Sequence, residues 1–210
     1  MSKELNMAKE LVKILEERDS NNKQKGATDN SCKVELSTLN PGEVFKIAEH
    51  DFIVLEQIPG QTAVISKGLM AEGVQFDDDT RDYRESNLKA LIERDIQPII
   101  ENAFGAENII EHEVDLTSVD GQNEFDTCTC KVRVVNFDEA RKYNSLLINK
   151  DLPDWHWTCT PWSTKERGYT YSIAVVSPSG YIYYYYCVNR SGVRPFCILK
   201  SNIFVSRGEN

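Results

Sequence analysis

Two cysteines and a histidine are the first side chains in this chain whose types and spacing could do chemistry. Cys128 and Cys130 are two residues apart, so in a strand both side chains point to the same face. With His112 they would supply three of the four ligands that a zinc ion needs. Structural zinc sites, however, usually have two or more residues between paired cysteines. The spacing therefore favours cysteines buried in a strand, and we predict no metal site and no cofactor.

His156 and Cys159 are a second pair, of the kind in which a base activates a cysteine nucleophile. A separation of three residues in a predicted strand sends the two side chains to opposite faces, which disfavours that role. The chain also lacks a glycine-rich phosphate loop and the serine-hydrolase, zinc-protease and deaminase motifs. We therefore predict that the protein is not an enzyme and assign no catalytic residue.

Acidic side chains form the third group. Asp77, Asp78 and Asp79 are consecutive, but their surroundings lack the alternating ligands, the glycine and the closing glutamate of an EF-hand calcium loop. The stretch 95–130 has nine carboxylates and no Lys or Arg. A solvated face and a surface that docks on a basic partner both remain open. The residues assigned to this acidic surface are Asp77, Asp78, Asp79, Glu111, Glu113 and Asp115.

The charge and hydropathy of the whole chain exclude several classes of protein. A net charge of −9 disfavours nonspecific binding to nucleic acid and to anionic lipid. No apolar segment is long enough for a signal peptide or for a membrane-spanning helix. We therefore expect no direct nucleic-acid binding and no membrane location, and we predict a cytoplasmic protein. Six cysteines in 210 residues are too few for a disulfide framework.

The chain divides into a short N-terminal unit and a larger domain. Residues 1–31 predict an amphipathic helix, with an apolar stripe from Leu5 to Leu15, followed by a flexible linker without large apolar residues. This helix could pair with a second copy and make the protein a homodimer. Residues 32–210 predict a single globular α+β domain.

Local signals place the first strands and helices of the domain. The predicted strands are 44–47, 52–58, 62–66, 109–116 and 127–135. Pro59 and Gly60 separate two of these strands and predict a hairpin. Ser86 and Asn136 are N-cap residues for helices that begin beside them. Pro98 should kink or end the first of these helices.

The segment from Trp155 to Val205 is rich in aromatic and β-branched residues and predicts a C-terminal sheet. Residues 177–180, Ser-Pro-Ser-Gly, predict the turn of a hairpin within it. Alternation along the strand after this turn places Tyr181, Tyr183 and Tyr185 on one face. It places Ile182, Tyr184 and Tyr186 on the other face. Exposed tyrosines would provide a rigid recognition surface, whereas buried ones would fill the core, and both interpretations remain open.

Several segments of this region resemble a bacterial and phage domain family of unknown function. They are His156 to Pro161, Tyr171 to Val176 and Gly192 to Phe196, and the last reads Gly-Val-Arg-Pro-Phe. The family's hallmarks are a Trp-Trp-Leu-Arg-Ser-Pro-like strand and a closing Gly-Val-Arg-Pro-Ala segment. The order of the upstream hairpin and helices is also similar, so the resemblance covers residues 40–205. Cys159 and Phe196 depart from the pattern, which usually has Arg and often Ala there.

The family is distantly similar to C-type-lectin-like domains, a group that includes formylglycine-generating-enzyme-like domains and phage receptor-binding domains. The resemblance implies an α+β fold of C-type-lectin-like mixed and antiparallel sheets with two or three flanking helices, besides the N-terminal helix. It implies a scaffold that presents a variable binding surface, but no activity. Gly192, Arg194 and Pro195 are assigned a structural role, in which Arg194 ties the last strand to a neighbouring loop by bidentate hydrogen bonds.

These observations lead to two hypotheses of different classes. The first is a non-enzymatic recognition module of a bacterium or a phage, either cytoplasmic or part of a phage particle, that presents an aromatic surface to a protein or glycan ligand. The second is an acidic protein inhibitor of the phage anti-defence type, which mimics nucleic acid and blocks a nucleic-acid-binding host protein. The residues assigned to the binding surface are Trp155, Trp162, Tyr169, Tyr171, Tyr183 and Tyr185.

Overall fold

The computed structural model describes residues 33–47 and 49–208, in which fifteen strands form three sheets beside a few short helices. The strands are β1 (Lys33–Glu35), β2 (Val44–Ile47), β3 (His50–Ile58), β4 (Gln61–Ser66), β5 (Ala71–Gln75), β6 (Ile109–Ile110), β7 (His112–Asp115), β8 (Thr127–Cys130), β9 (Val132–Arg133), β10 (His156–Pro161), β11 (Ser172–Val176), β12 (Ile182–Tyr186), β13 (Arg190–Val193), β14 (Phe196–Lys200) and β15 (Phe204–Arg207). The α-helices are α1 (Asn87–Leu91), α2 (Gln97–Phe104), α3 (Phe137–Lys142) and α4 (Asn144–Leu147). The predicted α+β class is thereby confirmed, while the predicted N-terminal helix and linker lie outside the described residues.

The largest sheet has the strand order β1-β15-β2-β3-β4-β14-β6, and β9 also pairs with β14. All of its pairs are antiparallel. Strands β2, β3 and β4 form a meander, and the predicted hairpin between the last two is confirmed. The two strands that flank this meander, β15 and β14, come last in the described chain.

A second sheet has the order β12-β11-β10-β13-β5, in which only β10 and β13 are parallel. The prediction of one C-terminal sheet from Trp155 to Val205 is therefore wrong, because β14 and β15 belong to the larger sheet. The chain changes sheet at Arg194 and Pro195, where a proline without an N–H cannot continue the ladder. The predicted hairpin turn is confirmed, since Gly180 has φ 83° and its N–H donates to Ser177 O at 2.9 Å.

Two predicted strands are each divided in two. The segment 109–116 becomes β6 and β7, and the segment 127–135 becomes β8 and β9. The division arises because β6 and β9 pair with β14 of the large sheet, whereas β7 and β8 pair with each other. The predicted alternation is still correct, since Cys128, Cys130, Val132 and Val134 are all buried.

The predicted helix caps are both present. Ser86 Oγ accepts a hydrogen bond from Lys89 N at 3.1 Å. Asn136 forms a capping box with Glu139, in which each side chain accepts from the other residue's backbone N–H. Pro98 does not end its helix. The segment before it, Ile92–Ile96, is π-helical, and Pro98 lies in the first turn of α2. In a first turn the backbone N–H makes no hydrogen bond within the helix, so proline is tolerated there.

Both faces of the central meander are buried, which explains the uninterrupted apolar run at residues 52–55. Phe52 and Val54 belong to one core cluster, with Phe104 of α2 packed edge-on against Phe52 at a centroid distance of 5.3 Å. Ile53 belongs to a second cluster that includes Leu147 of α4. A strand covered on both faces needs apolar residues at successive positions instead of alternating ones.

Candidate binding surface

Strand β12 lies at the edge of the five-stranded sheet, and together with the residue before it carries three of the four exposed tyrosines of the described chain. It pairs with β11 on one side, from Ser172 opposite Tyr186 to Val176 opposite Ile182. On its other side, no strand of the described chain pairs with it. Tyr181, Tyr183 and Tyr186 are 61%, 43% and 55% exposed, so a strand edge and three large apolar side chains are presented together.

The tyrosine rings of β12 contact one another and the ring of Trp162, which follows β10. Trp162 lies 5.2 Å from Tyr184 and 6.4 Å from Tyr183, measured between ring centroids, and the two tyrosine rings stack at 4.8 Å. Contacts between tyrosines two residues apart agree with the predicted faces, since Tyr181 contacts Tyr183 and Tyr184 contacts Tyr186, but the rings of Tyr183 and Tyr184 also meet although they start on opposite faces. The physical reason is that an edge strand has free space beside it, into which side chains from both faces can lean.

Further contacts make these rings one continuous group. Tyr181 stacks on Tyr183 at 6.1 Å, and Tyr184 contacts Tyr169 at 6.0 Å and Tyr186 at 6.3 Å. We call this group the aromatic surface, and its members are Trp162, Tyr169, Tyr181, Tyr183, Tyr184 and Tyr186.

Three of the six residues predicted to bind belong to the aromatic surface, namely Trp162, Tyr169 and Tyr183. Trp155 and Tyr185 are half-buried and pack against the core, with their ring centroids 5.5 Å apart, and Trp155 also contacts Tyr181 of the aromatic surface edge-on at 6.1 Å. Tyr171 is 47% exposed and lies beside Tyr186 in a separate pocket. The structure thus brings together part of the predicted set and adds Tyr181, Tyr184 and Tyr186 to it.

A buried arginine that the sequence did not single out holds the loop that carries Trp162 and Tyr169. Arg81 is only 4% exposed. Its Nη1 donates to Ser163 O at 2.6 Å and its Nε to Thr170 O at 2.9 Å. Both ends of the loop are thereby fixed to one guanidinium group.

Asp120 fixes the same loop from a second direction. Its carboxylate accepts hydrogen bonds from Ser118 Oγ and Ser163 Oγ, each at 2.6 Å, and from Arg167 Nη1. Partial burial would raise the pKa of Asp120, but these donors stabilise the carboxylate and lower the pKa to about 2. A carboxylate that stays ionised keeps the loop in place over the whole neutral range.

The predicted acidic surface is divided by the structure. Asp77 is 6% exposed, so its assignment to a surface is wrong. Burial would raise its pKa, but backbone N–H groups lower the pKa by donating to its carboxylate, and these belong to Asp79, Asn87 and Thr80. The other five assigned residues are exposed, namely Asp78, Asp79, Glu111, Glu113 and Asp115.

Asp78 and Asp79 line a pocket of about 310 Å³ together with Tyr171, Tyr186 and Val188. This pocket brings one residue of the predicted binding set next to two of the predicted acidic set. The sequence gave no reason to join them, because the two groups are about 90 residues apart in the chain.

The cysteine and histidine side chains form no metal site in the described part of the chain, where no group of three or more potential ligands occurs. His112 faces Cys130 across the β7–β8 pair, but its Nε2 accepts from Arg133 Nε at 2.9 Å. A hydrogen bond from Cys130 lowers the pKa of Cys128 to about 7, and burial opposes this change. Both thiols are buried, as expected for strand cysteines.

His156 and Cys159 are not arranged as a base and a nucleophile. Burial raises the pKa of Cys159 to about 12, so the side chain is a thiol at neutral pH. Burial, and then the nearby charge of Arg194, lower the pKa of His156 to about 3. Neither ring nitrogen of His156 has a hydrogen-bond partner among the described residues.

The three residues assigned a structural role all lie at the junction between the two large sheets. Arg194 is fully buried, and it donates from Nε to Ser66 O and from Nη1 to Leu147 O, both at 2.7 Å. Its partners are thus main-chain carbonyls at the ends of β4 and α4. Pro195 O accepts from Ser66 N at 3.0 Å. A Cβ atom at Gly192 would lie 2.4 Å from a methyl group of Leu69 and 3.0 Å from Trp155 O, so a larger residue would require Leu69 to move.

Comparison of the chain with protein-family models, with curated proteins and with solved structures finds no match. Within the described residues, no helix has both the length and the apolar character needed to span a lipid bilayer. Function is therefore inferred from the geometry of the aromatic surface, of the acidic side chains and of the pocket between them.

Proposed function

We propose that this chain is a non-enzymatic recognition module that binds a protein or glycan ligand through the aromatic surface. The observation that carries the proposal is the continuous group of six rings contributed by the edge strand β12, the residue before it and the loop after β10, three of which are 43–61% exposed. Tyrosine and tryptophan combine large apolar faces with a polar atom and lose little conformational entropy on binding. Such rings suit a protein side chain as well as the apolar face of a sugar ring.

The support of the loop behind these rings favours a binding role. Trp162 and Tyr169 belong to a loop held by Arg81 and by Asp120. A surface that is rigid before binding loses less entropy when a ligand arrives. A ring cluster that only filled space would not need an exposed position at the sheet edge, because the exposed tyrosines bury little of their surface.

We also propose that the fold is C-type-lectin-like and that the chain belongs to the bacterial and phage family that it resembles. Support comes from the Gly-Val-Arg-Pro segment at 192–195, whose residues are buried at the junction of the two sheets. In such a protein, the binding surface varies while the junction is retained. The ligand would then be reached in the cytoplasm or from a phage particle.

An acidic inhibitor of a nucleic-acid-binding protein is the second candidate, and the exposed carboxylates in β7 and at the residue before it favour it. Glu111, Glu113 and Asp115 are all exposed and occupy alternate positions. Alternate residues of a strand lie about 6.8 Å apart on one face. A row of evenly spaced negative charges could occupy a groove that normally holds a phosphate backbone.

The recognition hypothesis is tested with two double variants of the full chain. One variant carries Tyr181→Ser and Tyr183→Ser, and the matched control carries Ile99→Ser and Phe204→Ser. The control residues are 44% and 66% exposed and lie outside the aromatic surface, so both variants remove two exposed apolar side chains. Binding is measured on a glycan array and by photo-cross-linking to proteins of the cells that produce the chain.

We expect wild type and control to bind the same ligand, and the tyrosine variant to bind it about tenfold more weakly or not at all, as for central aromatic contacts. Equal binding by both variants would contradict the role of the aromatic surface. A third variant with Glu111→Gln and Glu113→Gln tests the inhibitor hypothesis. That hypothesis predicts loss of a basic protein partner in this variant alone, with the tyrosine variant unaffected.

A further inference from the structure

We propose that the pocket lined by Asp78, Asp79, Tyr171, Tyr186 and Val188 binds a basic side chain, of lysine or arginine, from a partner protein. The proposal rests on the proposed recognition function and specifies the chemistry of its ligand. Its first support is the shape of the pocket. The volume of about 310 Å³ is at the lower end of the range for ligand pockets, about 300–1,000 Å³, and suits one long side chain.

The walls of the pocket are apolar and aromatic. Tyr171, Tyr186 and Val188 are 47%, 55% and 48% exposed, which is unusual for three large side chains that lie together. The face of a tyrosine ring attracts a cation through its negative quadrupole. The aliphatic stem of a lysine or arginine gains further contact with the side chain of Val188.

The charge of the pocket selects a cationic ligand. The acidic side chains that line it are Asp78 and Asp79, both are exposed, and no Lys or Arg lines the pocket. Within the described residues, neither carboxylate takes part in an ion pair. An apolar ligand would remove water from these two carboxylates without compensation, and an anion would be repelled. A basic side chain satisfies the carboxylates and the rings at once.

The pocket is not suited to a metal ion. A divalent cation such as Ca²⁺ takes six or more oxygen ligands, whereas this pocket offers two carboxylates beside two rings and a valine. The neighbouring carboxylate of Asp77 is already occupied by backbone N–H groups. An organic cation on an apolar stem therefore fits the site better than an inorganic one.

Backbone hydrogen bonds hold the walls in place before a ligand arrives. Phe76 N and Asp77 N both donate to Cys187 O, at 3.0 and 3.1 Å, and Cys187 N donates to Tyr171 O at 2.7 Å. Tyr186 N donates to Asn189 Oδ1 at 2.9 Å. These bonds connect the acidic loop, the start of β11 and the end of β12. A site that is already ordered binds without the entropy cost of assembling it.

The test uses the full chain labelled with ¹⁵N and four small probes. Nα-acetyl-lysine methylamide is compared with its neutral norleucine analogue, and Nα-acetyl-arginine methylamide with its citrulline analogue. We expect saturable shifts of the amide signals of Tyr171, Tyr186 and Val188 with the two cationic probes, and no saturable shift with the neutral ones. Shifts of equal size with the neutral probes would overturn the proposal.

Two matched variants separate the pocket from the general negative field of the protein. Asp78→Asn with Asp79→Asn should weaken the binding of the cationic probes about tenfold. Glu107→Gln with Asp151→Asn makes the same change in charge at two exposed carboxylates outside the pocket and should leave binding unchanged. Equal weakening by both variants would show a nonspecific field and would overturn the proposal.

A third variant addresses the rings. Tyr186→Leu keeps an apolar side chain but removes the ring face, so we expect cationic probes to bind about threefold more weakly at an unchanged melting temperature. Failure of this proposal is distinguishable from failure of the recognition function, because Tyr181 and Tyr183 do not line the pocket. If the cationic probes cause no saturable shift while replacement of those two tyrosines still weakens ligand binding, the proposed role of the pocket is wrong and the recognition function is not.

Discussion

Arg81 donates from Nη2 to both carboxylate oxygens of Glu124, at 2.8 and 2.7 Å. The same guanidinium group binds the carbonyls of Ser163 and Thr170, so three segments that are distant in the sequence meet at one side chain. A planar group with five fixed donors is the side chain best suited to such a junction. The position of the aromatic surface therefore depends on a residue outside it.

Replacement of Arg81 by Lys should destabilise the protein by about 2–3 kcal/mol, because a single ammonium group cannot serve three segments and leaves buried carbonyls without donors. The loop with Trp162 and Tyr169 should also become mobile. Urea unfolding and the tryptophan fluorescence of the folded state check the two effects. Arg84→Lys is the control, since that side chain is 40% exposed and bonds only to Asp82, and it should cost less than about 1 kcal/mol. Equal costs for both variants would contradict the role of Arg81.

Replacement of Arg194 by Ala should cost about 2–4 kcal/mol, at the upper end for single substitutions. The change leaves the carbonyls of Ser66 and Leu147 without donors and removes a fully buried side chain. Lysine should restore only part of the loss, because one ammonium cannot reproduce two bonds from separate nitrogens. The control is Arg190→Ala, because Arg190 lies in β13, the strand that ends just before Arg194, and its side chain is exposed. Thermal melting of Arg194→Ala at the wild-type temperature would refute the prediction.

His156 should make stability depend on pH. Its pKa is about 3 in the folded protein and about 6.5 in an unfolded chain, so below pH 6.5 the unfolded state binds the proton first. The stabilising contribution is complete above pH 6.5 and is lost as the pH falls towards 3. At pH 5 the loss should be about 2 kcal/mol relative to pH 7.5.

The variant His156→Leu should lack this part of the pH dependence and should fold normally, because neither ring nitrogen has a hydrogen-bond partner in the described part of the chain. Urea unfolding at pH 7.5 and pH 5 measures the difference for wild type and variant. His50→Leu, at a half-exposed position, is the control and should keep the wild-type dependence. The same loss of stability in wild type and His156→Leu would show that other groups cause it.

Glu139→Gln should lower the free energy of unfolding by about 2–4 kcal/mol, because it removes the charge partner of the buried Arg133. Arg133 is 2% exposed, and its Nη1 and Nη2 each lie 2.6 Å from an oxygen of Glu139. Glutamine can still close the capping box with Asn136, so the variant isolates the loss of a charge partner from a buried guanidinium. Asp138→Asn, next to it in α3 but exposed, should change stability by less than about 1 kcal/mol. Chemical unfolding of both variants gives the comparison.

Elements that depend on neighbouring residues could be predicted from the sequence. The hairpin at Pro59 and Gly60, the caps at Ser86 and Asn136 and the turn before Tyr181 each need only a few adjacent side chains. The separation of β13 from β14 could not be predicted, because it depends on which distant strands pair with each. Alternation predicted two faces for the tyrosines, but it contains no information on whether a strand lies at an edge.

The difference between local and long-range contacts also explains which residues of the candidate site could be predicted. Asp77 was assigned to a surface although its partners, Asp79 and Thr80, are local, so an Asx-type turn could have been recognised there. Arg81 could not have been found, since its partners are 43, 82 and 89 residues away in the chain. Tyr169 and Tyr183 could be assigned to the aromatic surface from the sequence, whereas Tyr181, Tyr184 and Tyr186 could not, because alternation does not show which rings meet.

The order of strands in the large sheet has a consequence during synthesis on the ribosome. The meander β2–β3–β4 emerges early, and both of its outer edges are open until β14 and β15 have been made. Open edges of apolar strands are sites of aggregation, and such strands depend on chaperones while they wait. The sheet therefore stays open on both sides while residues 67–195 are made, and β14 and β15, which are only three residues apart in the chain, then close it at nearly the same time.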